Sequence, residues 1–462
     1  MTNRSDTPQS RRAAVRAFLV SLAWALAAHN AGNTSIEKAV RRRMKTVHPV
    51  VSLGATLAGI PSAEYPLQTA ALQAVVTTNL VRKGALRHRL GWLGLGISLA
   101  SWWRFVDLHR GAHAVNNVLE QALVDGLGPD YRDVLRPNDY PDEIPLTCGE
   151  TAIPRLGSRR RYASGRDLSY GEHRRNVLDI WTRPDLPRDG SAPVLVYIHG
   201  SGWMATSKTG QGYPLLSHMA ERGWVCVSIN YRLSPAAVWP AHIVDVKRAL
   251  AWIKRNIADY GGDPQFVAVA GTSAGGHLCA LAALTPNVAE FQPGFEDEDT
   301  SVVAAVAISG VFDFTDRDQA QSPHWERGMG ALVMRSRLAH DYDRWNRASP
   351  MNWIGPDAPP FFVLHSTLDA LVSGVQARLF ASRLRAVSRN PVVFAELPGA
   401  HHGFDLLHSV HTILTVRAVD RFLSVLRARS NASYTPTAPA AGETPPTHPL
   451  KLSDAPNEAS RK

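Results

Sequence analysis

The stretch Val267–Leu278, VAVAGTSAGGHL, decides the reading of the fold. Its first half, a run of β-branched and small apolar residues, reads as a buried strand. The run ends in Gly271-Thr272-Ser273-Ala274-Gly275, a G-x-S-x-G pattern, and passes straight into an apolar helical segment. A strand, sharp turn and helix of this kind form a nucleophile elbow. Only glycines fit beside the serine, and its hydroxyl is thrust out at the top of a sheet. A glycine-rich turn with an incidental serine has the same letters, so the rest of the chain must supply a base, an acid and an oxyanion hole.

Outward from the elbow the pattern is regular. "PVLVYIHGSGW", "WVCVSINYRLSP", "SVVAAVAISGVFDF", "PPFFVLHSTLD" and "PVVFAELPGAHHGF" are short, continuously apolar runs, as expected of strands covered on both faces. "RRYASGRDLSYG" and "RRNVLDIWT" read as a hairpin. Helical periodicities alternate with the strands. One of them places Ile243, Val246, Leu250, Ile253 and Ile257 on a single face and stops at Gly261-Gly262. Strands alternating with helices predict an α/β fold with a mostly parallel central sheet and helices on both faces. The expected organisation is a basic, apolar helical region over 1–125, a connector over 126–160 and a catalytic domain over 161–428. A lid or cap insertion is expected over 315–359, where the periodicity breaks, and a Pro/Thr/Ala-rich disordered tail over 429–462.

Ligands of such sheets sit at the carboxyl ends of the strands. Asp369 ends one strand and His401-His402 follow another, giving the order Ser…Asp…His of the α/β-hydrolase fold. The chemistry needs these three types. A free hydroxyl is a poor nucleophile, an imidazole takes its proton, and a carboxylate fixes the tautomer and offsets the developing charge. The loop His199-Gly200-Ser201-Gly202-Trp203 ends an upstream strand. Its backbone amides, with that of Ala274, are candidate donors to an oxyanion. Gly200, Gly202 and Ala205 also satisfy a dinucleotide fingerprint, but the next strand ends "VSINYR" without the acid that would hold a ribose. No cofactor and no metal are expected: there is no H-E-x-x-H pattern, and His408 and His411 are expected to cap the last helix or face solvent.

Taken together, "HGSGW", "NYRLSP", "WPAHIVDVKRALAW", "YGGDP", "GTSAGGH", "HSTLD" and "GAHHGFD" resemble the hormone-sensitive-lipase-like carboxylesterases, with the nearest likeness to Lip-type esterases of the actinobacterial cell envelope. The likeness covers about residues 150–428, and more weakly the apolar N-terminal 150. It implies an α/β-hydrolase fold and cofactor-free ester hydrolysis, with Ser273 as nucleophile, Asp369 as acid and His402 as base. Oxyanion donors are implied at Ser201, Gly202 and Ala274. Ser201 stands where the family has a glycine, Thr272 where it commonly has Asp, and Ala236 where it has Glu. These departures leave the substrate open. An H-G-x-x-W loop also occurs in arylformamidases, which cleave amides, and a hydrolase fold without turnover could serve as a membrane-attached binding protein.

The net charge of +10 is unevenly placed: residues 1–110 hold 15 Lys and Arg against four Asp and Glu, so the remainder is close to neutral. The basic residues bracket uncharged stretches such as Leu90–Trp103, LGWLGLGISLASWW. These are shorter than the roughly 20 apolar residues needed to cross a bilayer. Tryptophans and arginines at their ends suit an anionic membrane surface. A buried helical cap is the competing reading, and the stretch near Arg11–Ala31 also resembles a signal peptide. Nucleic acid is not an expected partner, because no polar basic face forms. The expected partners are a small-molecule or lipid ester and a membrane surface, in the cell envelope or on the cytoplasmic side. On that view a chain starting near Asp142 should remain soluble and active. Cys226 and Cys279 lie in apolar runs and are expected to be buried thiols, and Cys148 stands alone.

Overall fold

The computed structural model of the protein describes residues 7–30, 60, 62–135, 161–321 and 324–431. Residues 136–160 of the expected connector, Cys148 among them, and the tail beyond 431 lie outside the described residues. Among the described residues the first helices are α1 (Pro8–Asn30), α2 (Pro66–Arg82), α3 (Arg89–His113) and α4 (Val115–Leu127). Eight strands follow: β1 (Ala163–Ser169), β2 (Val177–Trp181), β3 (Ala192–Ile198), β4 (Val225–Ile229), β5 (Gly262–Thr272), β6 (Ala304–Ile308), β7 (Phe361–Ser366) and β8 (Val392–Leu397). They form one sheet in the order β1-β2-β4-β3-β5-β6-β7-β8. β2 pairs antiparallel with both of its neighbours, and every other pairing is parallel.

The interleaved helices are α5 (Tyr213–Glu221), α6 (Ala241–Asn256), α7 (Ala274–Leu284), the short α8 (Trp325–Met329) and α9 (Tyr342–Arg347), α10 (Gly374–Val387) and α11 (Val410–Asn431). Side chains alternate across a strand, so each strand feeds two cores. Val194, Val196 and Ile198 pack with α6, α7 and α10, whereas Leu195 and Tyr197 pack with α4, α5 and α11. The predicted face Ile243, Val246, Leu250, Ile253 and Ile257 is fully buried. The helical run ends at Gly261, whose φ of +88° favours glycine. Cys226 and Cys279 are free buried thiols. The stretch after β6 folds into α8, α9 and single turns instead of a long helix. It packs Val333, Met334 and Trp345 onto the core beside the strand ends.

The N-terminal region does not behave as one unit. α1, α2 and α3 form a helical bundle. α4 instead lies on the sheet: Val115, Leu119 and Leu123 are fully buried against β8 and α11. The contact continues past residue 126 into Tyr131 and Leu135. Residues 112–135 therefore belong to the core of the sheet domain. A chain starting near Asp142 would uncover β8, which argues against the expectation that such a chain stays soluble and active. Among the described residues no helix is long and apolar enough to cross a membrane.

Candidate active site

Ser273 sits between β5 and α7 with φ 58° and ψ −119°, a conformation that costs a non-glycine residue about 1–3 kcal/mol and survives only where its surroundings enforce it. They do so here through close backbone approach. A Cβ on Gly275 would lie 2.0 Å from the Ile198 carbonyl oxygen, and one on Gly200 would lie 2.6 Å from that of Thr272. Glycine at both positions lets the oxyanion-loop candidate, His199–Trp203, run directly beside the serine. The Ser273 N–H donates to the Ile308 carbonyl (2.8 Å), which fixes the turn to β6.

Three strand ends converge at this point. His402 Nε2 lies 2.9 Å from Ser273 Oγ, and His402 Nδ1 lies 2.7 Å from Asp369 Oδ2. The other Asp369 oxygen accepts the N–H groups of Leu371 (2.9 Å) and Val372 (2.8 Å), so the carboxylate cannot swing away. Asp369 can only accept from Nδ1, which leaves Nε2 to accept the serine proton. Burial disfavours both charges, yet each stabilises the other: His402 is raised above the usual imidazole value and Asp369 is held below the usual carboxylate range. His401, the neighbouring candidate, is buried and offers its carbonyl to Ser366 Oγ (3.0 Å).

The loop before the serine is held by Gln211. Its Oε1 accepts the Gly200 N–H (2.8 Å), which takes that amide out of use, and its amide donates to Ser201 Oγ (3.0 Å). Ser201, Gly202 and Trp203 all have positive φ, with values of 79°, 63° and 60°. The Ser201 side chain is thus turned to Gln211. His199 stacks on Tyr231 and accepts that residue's hydroxyl bond on its carbonyl (2.9 Å). Burial pushes the His199 imidazole down to about 4, so it is neutral and supports the loop.

Sequence reasoning missed two further features. Asp405, buried, lies 2.5 Å from Thr272 Oγ1 and 3.3 Å from the Tyr197 hydroxyl. A carboxyl at position 272 would face the Asp405 carboxyl, and threonine presents a donor instead. Trp203 Nε1–H donates to His277 Nδ1 (3.2 Å), and His277 Nε2 reaches the Ala348 carbonyl (2.7 Å), which ties the loop, α7 and the segment after α9 together. His411 also departs from expectation. It is buried, not solvent-facing, because Glu64 from the N-terminal region comes to meet it (2.9 Å). No cluster able to hold a metal is present among the described residues.

An eight-stranded, mostly parallel sheet with a serine at the β5 elbow and a histidine and an aspartate at later strand ends defines an α/β-hydrolase-fold enzyme. Comparison with known proteins narrows the class. A family profile described as BD-FAE matches residues 178–384. The chain is 44% identical over 392 residues to a Mycobacterium tuberculosis protein named probable carboxylic ester hydrolase LipM, covering 83% of this chain and 89% of that one. It is 43% identical over 380 residues to Esterase LipQ of the same organism, covering 81% and 85%. A truncated form of a carbohydrate esterase from gut microbiota shares the fold with a TM-score of 0.50 at 24% identity, covering 58% of this chain and 98% of that one. The chain belongs to the hormone-sensitive-lipase-like carboxylesterases of the α/β-hydrolase superfamily, and it is a carboxylic ester hydrolase. The two Lip alignments are too long for the sheet domain and tail alone, so they extend well into the N-terminal region.

Proposed function

We propose that the chain hydrolyses carboxylic esters through an acyl-enzyme formed on Ser273, with His402 as base and Asp369 as its orienting partner. The observation that carries this reading is the unbroken chain Ser273 Oγ, His402 Nε2, His402 Nδ1, Asp369 Oδ2 at the strand ends. In the forward step Ser273 Oγ bonds to the ester carbonyl carbon while its proton passes to His402 Nε2. The carbonyl oxygen becomes an oxyanion facing the amides of Ser201, Gly202 and Ala274. Collapse breaks the bond to the alkoxide, which leaves with the proton from His402. A water then repeats the sequence on the acyl-enzyme, and the carboxylic acid departs. Ser273→Ala should lower kcat on p-nitrophenyl esters by about 10⁴- to 10⁶-fold and abolish fluorophosphonate labelling. Turnover like that of the parent by a folded Ser273→Ala protein would overturn the assignment.

The same chain is held at an anionic membrane surface of the cell envelope by the α1–α3 bundle, where water-insoluble esters gather. What supports this is the bundle's polarity, which is turned inside out. Its interior is lined by Ser21, Gln73, Thr77 and Ser98, with Ser21 and Ser98 hydrogen-bonded across helices at 2.8 Å. Its outside carries Leu26 at 61% exposure, Val75 at 68%, Trp92 at 60% and Trp103 at 71%. Small and hydroxylated residues inside with apolar residues outside is the packing pattern of helices whose surroundings are lipid. Arg11, Arg12, Arg16, Arg82, Lys83, Arg87, Arg89 and Arg104 lie on the same helices or the turns beside them. Each contributes about 1 kcal/mol near anionic head groups. The full chain should sediment with anionic liposomes and be only partly released by salt, since apolar contact is not screened. A full chain that stays in the supernatant would sink this part of the reading.

A further inference from the structure

Glu64 has no part in the ester chemistry, yet its side chain is completely enclosed. It stands two residues before α2, in a segment whose Ile60, Ser62 and Ala63 are also buried. Its Oε2 accepts the hydroxyl of Ser409 (2.6 Å) and Nδ1 of His411 (2.9 Å). Nε2 of His411 faces the Pro398 carbonyl at 3.1 Å. His411 is thus held at both ring nitrogens, by the Glu64 carboxyl on one side and the Pro398 carbonyl on the other. Burial works against the charged imidazole, but the Glu64 charge and these hydrogen bonds hold it above its ordinary value. The next residue repeats the contact: the Tyr65 hydroxyl accepts the His408 N–H (3.0 Å).

The partners of Glu64 and Tyr65, His408, Ser409 and His411, lie just after His402, and His411 in turn reaches Pro398, just before it. On the other side this loop is held by the end of β7, through the Leu368 N–H to Ala400 (3.1 Å) and Ser366 Oγ to His401 (3.0 Å). Beyond His402 the loop is tied by Asp405 to Thr272 and Tyr197 and by Thr412 Oγ1 to the Phe404 carbonyl (2.9 Å), and its outer end is closed by residues more than 340 positions earlier. We infer that Glu64, acting through His411, is a positioning residue for the base: the N-terminal region closes the loop that sets His402 against Ser273. The inference rests on His402 being that base. Proton transfer tolerates little error, and a displacement of about 1 Å can cost on the order of 100-fold.

The test uses the full chain and five variants. Glu64→Gln keeps the shape and removes the charge; it should lower kcat roughly 10- to 100-fold with KM within about twofold, and slow fluorophosphonate labelling of Ser273 in parallel. Glu64→Gln/His411→Gln should be no worse than Glu64→Gln alone, because the two act as one unit. Leu123→Ala, in the α4 packing and outside the Glu64–His411 contact, supplies the structural control: it lowers the melting temperature and leaves kcat unchanged. Where Glu64→Gln does not fold, His411→Gln, whose amide can still reach the Pro398 carbonyl, carries the same measurement. Full kcat in folded Glu64→Gln overturns the inference, as does a kcat loss that Leu123→Ala reproduces at equal destabilisation. His402→Ala separates the two levels: if it retains activity, the assignment of the base fails first, whereas a dead His402→Ala beside a fully active Glu64→Gln overturns only the positioning role.

Discussion

The sheet domain and the α1–α3 bundle are packed on opposite principles. In the sheet domain Val194, Val196, Ile198, Val267 and Val269 are completely buried, as expected when apolar area leaves water at about 25 cal/mol per Å². In the bundle the buried positions are alanine, glycine, serine, threonine and Gln73, with Pro66 and Phe105 the exceptions, while Leu26, Leu72, Leu99, Trp92 and Trp103 face outward. Close approach makes the small residues necessary there: a Cβ on Gly94 would lie 3.0 Å from the backbone of α1 at Ala17 and Phe18. The first region is stabilised by excluding water from its own side chains. The second leaves apolar surface exposed, which is the feature the proposed membrane contact accounts for. α4 marks the boundary between the two regimes, since it follows α3 after a single residue and yet packs as part of the sheet domain.

The largest break in this comparison comes from cutting at the wrong place. A chain starting near Asp142 lacks α4 and should lose soluble fold and activity together. Soluble esterase activity from that chain would place α4 with the bundle after all. Next, Leu123→Ala in the dry core should destabilise the sheet domain by about 2–5 kcal/mol, read as a shift in the urea midpoint at unchanged slope. A midpoint that does not move would show that α4 contributes little to the core.

The third prediction uses pH. The base acts when neutral, and the Asp369 carboxylate raises His402 above the usual imidazole value in spite of burial. As pH falls through that raised value, kcat/KM should decline about tenfold per unit, with the apparent midpoint above 6.5. A limb centred below 6.5 would mean that Asp369 does not stabilise the imidazolium in solution. The smallest effect is expected from Leu99→Ala on the outside of the bundle. Stability in water should change by no more than about 0.5 kcal/mol, while sedimentation with anionic liposomes weakens. A loss in stability as large as that of Leu123→Ala would show that this leucine is covered by protein and not by lipid.

How much of this was legible depended on whether the signal was local. The elbow is five consecutive residues, and its glycines are demanded by backbone contacts within a few ångströms, so Ser273 could be read directly. Asp369 and His402 could be read because strand ends are visible as limits of apolar runs, and the topology brings those ends to one edge. The α6 face was visible as a 3.6-residue period. The bundle's polarity was not visible, since the same period describes a helix with either face turned inward.

The sequence by itself therefore determined the α/β alternation, the order of the chemistry-bearing residues and the concentration of positive charge before residue 110. Tertiary structure alone decided that α4 belongs to the sheet, that Thr272 meets Asp405, that Gln211 occupies the Gly200 amide, and that Glu64 meets His411. Each of these is a contact between positions with no shared period or motif. Their partners are chosen by which surfaces remain to be satisfied once the sheet has closed: a buried carboxylate must find a donor wherever the packed chain presents one.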